Sequence, residues 1–214
     1  MCLPPMKSGQ IHVLGSAGSF PINNTAVQSG SLREVLRART YDAHETIDAN
    51  MRQFGWGDAA SYVRFLQIQH AARAPVERWA QAHAPADAHG TAAPPAQSHL
   101  IADDLRAMGH GVIGAPRPFA MPAGADPIGL YWAIAGSSLG NRAIALDMKR
   151  SGLGDLPQGF LSDGAMIGYW QGLRDQLREG ENRGRADAAV AAALAVFEHF
   201  ISVVGELRVR EAAA

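Results

Sequence analysis

The sequence is poor in cysteine and in excess charge of either sign. Cys2 is the one cysteine among 214 residues, so neither a disulfide within the chain nor a metal site built on cysteines is available. The formal net charge is -1, which lacks the basic excess typical of proteins that bind nucleic acids. No stretch resembles a secretory signal or the roughly 20 apolar residues of a membrane span. We therefore expect a cytoplasmic protein that binds neither nucleic acid nor membrane.

What the chain does have is enough apolar material for a packed core. Hydrophobic residues make up 47% of it and charged residues 18%, and its length suits one domain. Residues 1–30 are rich in Gly, Pro, Ser and Asn and show no helical period, so we predict an irregular leader there. The sequence then predicts one helical domain over 31–208 and a short tail over 209–214.

Apolar residues recur at three- and four-residue spacing along most of this domain, which is typical of amphipathic helices. The predicted fold class is therefore all-α, a single-domain helical bundle. The predicted helices cover about 31–54, 58–82, 96–108, 126–151, 162–178 and 185–208. Two start signals stand out: a capping box from Ser31 to Glu34, and Asp126 followed by Pro127.

The first predicted helix carries a histidine with a carboxylate one turn further on. His44 lies at the edge of the apolar stripe, and Asp48 follows it on the same face. Such a carboxylate can orient a metal-ligating imidazole, although a solvated pair with no ligand has the same spacing. Arg37 lies about 10 Å before His44 along the helix axis, a spacing that suits a ligand with a metal and an acid group. The second histidine of a zinc-protease motif is missing after Glu45.

The fourth predicted helix contains two interior glycines, Gly136 and Gly140, among small Ala and Ser residues. Each interior glycine costs about 1 kcal/mol relative to alanine, so the pair needs a reason. Either another helix packs tightly against this face, or a flat ligand lies against the bare backbone; the sequence leaves both open. A kink is also expected where Gly and Ser residues adjoin.

Together these two helices resemble the proximal and distal helices of haem oxygenases, in particular of the bacterial branch that supplies biliverdin to bacteriophytochromes. The proximal motif is Leu36-Arg37-x-x-Thr40-x-x-x-His44-x-x-x-Asp48. The distal motif is Tyr131-x-x-x-x-Gly136-x-x-Leu139-Gly140. The resemblance covers about residues 31–205 and implies the helical fold of that family.

The resemblance implies a role for each matching residue. His44 would be the iron ligand of haem b, and Asp48 would stand where the family usually has Glu. Gly136, Ser137 and Gly140 would form the distal wall, which stabilises bound oxygen and is the catalytic surface.

Three further residues would contact the haem propionates. The resemblance places Arg37 and Tyr131 at two of these contacts. The family has a basic residue where this chain has Gln171, and Arg174 is the nearby basic residue. A second departure is Ala135, where bacterial relatives often have an acid.

The implied activity is degradation of haem, both substrate and cofactor, to biliverdin, carbon monoxide and ferrous iron. It uses O2 and electrons from a ferredoxin or reductase, since the sequence has no flavin or nicotinamide signature. A bacteriophytochrome would be a natural acceptor of the biliverdin. The departures leave an alternative open, a haem-binding or haem-sensing module that does not turn over. A di-iron protein on the same scaffold would need paired Glu-x-x-His sets, which are missing.

Overall fold

The computed structural model describes residues 30–52, 57–83, 91–178 and 184–213. Within these ranges the regular secondary structure is helical and contains no strand, which confirms the all-α prediction for the described part of the chain. Nearly all of the predicted leader, residues 1–29, lies outside the described residues. The same holds for residues 53–56, where the first predicted helix was expected to end.

The helices are numbered here in chain order. They are α1 (Leu32–Arg39), α2 (Tyr41–Arg52), α3 (Ala59–His83), α4 (Ser98–Ala107), α5 (Pro127–Gly136), α6 (Ser138–Arg150), α7 (Gly164–Gln176) and α8 (Ala186–Ala212). The segment 109–124 has no regular secondary structure, as predicted. Helix α8 continues to Ala212, beyond its predicted end near Arg208.

Both predicted start signals form real caps. The Ser31 side chain accepts a hydrogen bond from the Glu34 amide, and the Glu34 carboxylate accepts one from the Ser31 amide at 2.8 Å. The Asp126 carboxylate accepts a hydrogen bond from the Ile128 amide at 3.0 Å, with Pro127 in the first turn of α5. These contacts satisfy amide groups that a helix leaves without a partner at its N-terminus.

The first predicted helix is divided at Thr40 into α1 and α2. The Thr40 hydroxyl donates to the Leu36 carbonyl at 2.8 Å, and the Thr40 amide donates to the same oxygen at 3.0 Å. A threonine that bonds back to the preceding turn distorts a helix, which accounts for the division. The helical bonding resumes at once, because the His44 amide donates to the Thr40 carbonyl.

Helix α8 is the element on which most of the others pack. Helices α1, α2, α3 and α5 all contact it, and the contact with α5 is the most extensive. By length and composition, Ala186–Arg210 could also cross a membrane, so the expectation that no stretch is so apolar was wrong. Half of the 18-residue apolar window within this helix is buried inside the protein.

The contact between α5 and α8 depends on Gly129, which the sequence reasoning did not single out. A Cβ atom at position 129 would lie 1.7 Å from the Ala189 carbonyl oxygen of α8. The Asp126 amide donates to the Ala188 carbonyl one turn away, so the start of α5 is tied to the backbone of α8. Only glycine allows the two helices to approach this closely.

We predict that Gly129→Ala lowers the free energy of unfolding by about 3 kcal/mol or more, because the methyl group must push two backbones apart. Urea unfolding measures this. Gly168→Ala is the matched control, since position 168 in α7 is also helical but has nothing within 4 Å of an added Cβ. The control should be neutral or stabilising, and equal effects of the two changes would contradict this account of α5 packing.

Candidate functional site

His44 is presented to solvent on α2, with Asp48 beside it. Its side chain is 51% exposed, while its neighbour Ile47 is buried. The His44 Nδ1 atom lies 3.5 Å from the Asp48 Oδ2 atom. The predicted pairing therefore exists, between the Asp48 carboxylate and the Nδ1 side of the ring. An imidazole held in this way has one nitrogen available for a ligand.

Phe197 of α8 joins the His44 region to the predicted distal side. The rings of His44 and Phe197 meet edge to face with centroids 5.8 Å apart, and those of Trp132 and Phe197 do so at 6.3 Å. Trp132 belongs to α5, so α2 and α5 both lie against the same part of α8. His44 and the distal glycines were predicted to share one site. Phe197 contacts both His44 and Trp132, and Trp132 lies on α5, the helix that ends at Gly136.

His44, Glu45 and Asp48 also form a cluster of potential metal ligands. One ligand atom from each lies within 4.8 Å of the others, and within the described residues this is the one such group. All three side chains are at least partly exposed. Exposed acidic groups of this kind are common in proteins that bind no metal there, and the cluster alone does not define a site.

The predicted distal helix is divided by a break at Ser137 into α5 and α6, although Ser137 itself keeps helical dihedrals, with φ -61° and ψ -25°. The Ser137 hydroxyl donates to the Ile134 carbonyl at 2.7 Å, and the Ser138 hydroxyl donates to the Ala135 carbonyl at 2.6 Å. These side chains bond carbonyl groups at the end of α5. Each serine hydroxyl thus supplies a donor to one carbonyl in the last turn of α5.

The two predicted glycines have different surroundings. An added Cβ at Gly136 would lie 3.6 Å from the Trp170 ring of α7, an ordinary packing contact. An added Cβ at Gly140 would have nothing within 4 Å. No helix approaches Gly140 closely, so tight helix packing does not explain this glycine in the described part of the chain.

The three residues expected around the propionates lie in different environments. Arg37 is exposed on α1. Arg174 is half-buried on α7 and its Nη2 lies 3.2 Å from the Asp175 carboxylate. Tyr131 is wholly buried, so its hydroxyl is enclosed by the protein and does not lie at an open edge. The structure therefore brings Arg37 and Arg174 to accessible positions and Tyr131 to the core.

Sequence reasoning missed a buried charged pair beneath the break. Arg73 and Glu77 of α3 are 1% and 5% exposed, and the Arg73 Nη2 donates to the Ser137 Oγ at 2.7 Å. Burial lowers the pKa of the Arg73 guanidinium, and the nearby Glu77 carboxylate opposes that effect. The available signal was a charged residue in the otherwise apolar run Ala71–Val76.

Two other helical histidines, neither of them predicted as a ligand, lie further inside the protein. His199 is buried on α8, with Nε2 3.1 Å from the Ala72 carbonyl oxygen, and burial lowers its pKa. Burial also lowers the pKa of His70 on α3. Neither has the exposed ring that His44 presents.

A cavity of about 500 Å³ lies at the C-terminal end of α8. It is lined by Arg117, Ser202, Gly205, Glu206, Val209 and Arg210. None of the predicted site residues borders it. Arg117 and Glu206 are paired there, with Nε and Oε1 3.3 Å apart.

Comparison of the chain with known proteins gave no match to a family model, to a curated protein or to a solved structure.

We predict that Gly140→Ala raises the free energy of unfolding of the ligand-free protein by about 0.5–1 kcal/mol, because alanine is the better helix former and meets no neighbour. Urea unfolding measures this, provided that the slope of the unfolding free energy against urea concentration is the same in both proteins. Gly129→Ala, in the preceding helix α5, serves as the contrasting variant, because a methyl group there would meet the backbone of α8. A destabilised Gly140→Ala protein would mean that packing, not an open surface, requires this glycine.

Proposed function

We propose that this protein binds haem b through His44 and degrades it to biliverdin, carbon monoxide and ferrous iron. O2 is the co-substrate, and electrons come from a separate ferredoxin or reductase. The observation that carries the proposal is the exposed His44 imidazole, with the Asp48 carboxylate 3.5 Å from Nδ1, on a helix that packs on α8 as α5 does.

The side chains around His44 are arranged so that its imidazole could coordinate iron. The Asp48 carboxylate lies 3.5 Å from Nδ1, so it favours the ring orientation in which Nε2 is free to coordinate. The edge of Phe197 restricts the ring from one side.

The residues on the distal side fit a flat ring. Gly140 has open space where a side chain would stand, and Ser137, three residues before it, is exposed. A bare backbone strip lets a planar group approach more closely than any side chain would. Helices α2 and α6 share no extensive contact in the described residues, so a ligand between them would not need to displace a packed interface.

The periphery of such a ligand carries two carboxylates, which require cations or hydroxyl groups. Arg37 and Arg174 are accessible and would hold them by charge-assisted hydrogen bonds. Arg174 would have to leave or share Asp175 to do so. Tyr131 would join them only for a ligand that inserts as far as the core.

When bound, haem would supply both the iron that activates O2 and the porphyrin ring that is oxidised. The protein's own residues would orient the porphyrin ring and keep other molecules away from it. Ser137 donates its hydroxyl proton to the Ile134 carbonyl, so polar contacts toward the ring on this side would come from backbone groups near Gly140. A cytoplasmic location and delivery of biliverdin to a bacteriophytochrome belong to the same proposal.

A second candidate is a haem-binding or haem-sensing module without turnover. The specific observations that favour it are the buried apolar Ala135 before the first distal glycine and the prior engagement of the Ser137 hydroxyl. Both reduce the polar groups available on the distal side. The two candidates share the His44 ligand and differ only in the fate of the haem after reduction in air.

One experiment separates them. Ferric haem is added to the purified protein, and a ferredoxin–reductase system is then supplied in air. The proposed enzyme loses its Soret band while biliverdin absorption grows; a stable spectrum supports the module. Identification of the biliverdin isomer then shows how the ring is oriented.

We predict that His44→Ala lowers haem affinity at least about tenfold, or about 1.4 kcal/mol, and that added imidazole restores the histidine-ligated spectrum. His99→Ala is the matched control, because His99 is also an exposed helical histidine. The control should bind haem as the unchanged protein does. An unchanged spectrum in His44→Ala would remove His44 from the site.

A further inference from the structure

Arg73 is a buried cation whose place in the core needs an explanation. Its side chain is 1% exposed, and its guanidinium carbon lies 5.3 Å from the centre of the Phe160 ring. Burying a charge is costly unless hydrogen bonds and an opposite charge compensate for it. The contacts of Arg73 therefore indicate what the residue does.

Glu77 supplies the opposite charge but no hydrogen bond. The Arg73 Nη1 atom lies 3.7 Å from the Glu77 Oε1 atom, beyond hydrogen-bonding distance. Both Glu77 oxygens accept bonds from backbone amides at the start of α4, from Gln97 at 2.8 Å and from Ser98 at 2.9 Å. Glu77 is thus held by α4, and an ion pair alone does not account for the position of the guanidinium.

The hydrogen bond that Arg73 makes in the described part of the chain goes to Ser137. Its Nη2 donates to the Ser137 Oγ at 2.7 Å, while Nε and Nη1 are buried and have no hydrogen-bond partner among the described residues. Ser137 in turn donates to the Ile134 carbonyl at 2.7 Å. Because the hydroxyl has one proton, accepting from Arg73 directs that proton to Ile134. The two bonds strengthen each other.

The same network ties this contact to two further helices. The Gln97 Nε2 donates to the Asp163 carboxylate at 2.8 Å, and Asp163 caps α7 through the Ala165 amide. The chain of contacts therefore runs from the break in the distal helix through α3 and α4 to the start of α7. Such a connection fixes where the break lies relative to the core.

We propose that Arg73 is a positioning residue that holds the break between α5 and α6 at Ser137. By fixing this break it sets the direction in which α6 leaves α5, and so the surface that Gly140 presents. The role at the break stands on the contacts alone. Its consequence for haem orientation rests on the proposed function.

The test compares two neighbouring serines that bond carbonyls in the same way. Ser137→Ala and Ser138→Ala each remove one hydroxyl-to-carbonyl bond, but only Ser137 contacts Arg73. In the haem-free protein, Ser137→Ala should speed hydrogen exchange of the amides in 134–141 at least about tenfold more than Ser138→Ala does. Ser137→Thr, which keeps the hydroxyl, should restore slow exchange.

Arg73→Met tests the other partner. It keeps an unbranched side chain of similar length and removes the charge, and it should speed the same amides. The double variant Arg73→Met/Ser137→Ala should show less than the sum of the two single effects, because both changes remove the same hydrogen bond between Arg73 and Ser137. If Arg73→Met does not fold, the serine comparison decides by itself. Equal exchange in the two serine variants, or additive effects in the double variant, would overturn the proposal.

A second readout addresses the haem-facing consequence. If haem is degraded, Ser137→Ala should change the ratio of biliverdin isomers, and Ser137→Thr should return it to that of the unchanged protein. If Ser137→Ala speeds amide exchange but leaves the ratio of biliverdin isomers unchanged, the proposed effect of Arg73 on haem orientation is overturned, while its role at the break stands. Failure of the unchanged protein to degrade haem would contradict the proposed function, and the exchange experiment, which contains no haem, would still decide the role of Arg73.

Discussion

Helix α5 lies closer to α8 than any residue other than glycine would allow at position 129, and α1, α2 and α3 pack on the same helix. Gly129 lies against the Ala189 carbonyl with no room for a side chain, and this contact fixes the start of the distal helix on the longest helix of the bundle. The helix that carries His44 packs on the same long helix, and the Phe197 ring lies between His44 and Trp132. Helices α2 and α5 are thus both positioned on α8, and α6, which carries Gly140, is joined to α5 and α7.

The break at Ser137 shows how a polar network can shape an apolar bundle. The last turn of a helix leaves carbonyl groups without partners inside the helix, and here serine hydroxyls bond them. The buried Arg73 adds a fixed charge-assisted bond to one of these serines, and Glu77 holds that charge in place. Because the groups depend on one another, the break has a defined position, and the backbone beyond it faces open space at Gly140.

Local signals predicted much of the helical framework, whereas contacts between helices could not be predicted. Ser31 and Asp126 cap their helices as expected, because capping depends on residues a few positions apart. The helix predicted over 126–151 is divided at Ser137, beside the Gly and Ser residues where a kink was expected. Gly129 and Arg73 were missed, since their importance comes from partners about 60 positions away in the sequence. The exposure of His44 and the burial of Tyr131 likewise depend on how the helices pack.

The proposed function requires one haem between the His44 side and the Gly140 side of the molecule. Amide NMR spectra of the protein with and without ferric haem test this arrangement, because the paramagnetic iron broadens signals of nearby groups. We expect selective broadening at two separate stretches, in α2 around His44 and in α6 around Gly140. Broadening confined to one of these stretches, or centred on the cavity near Arg117, would contradict it.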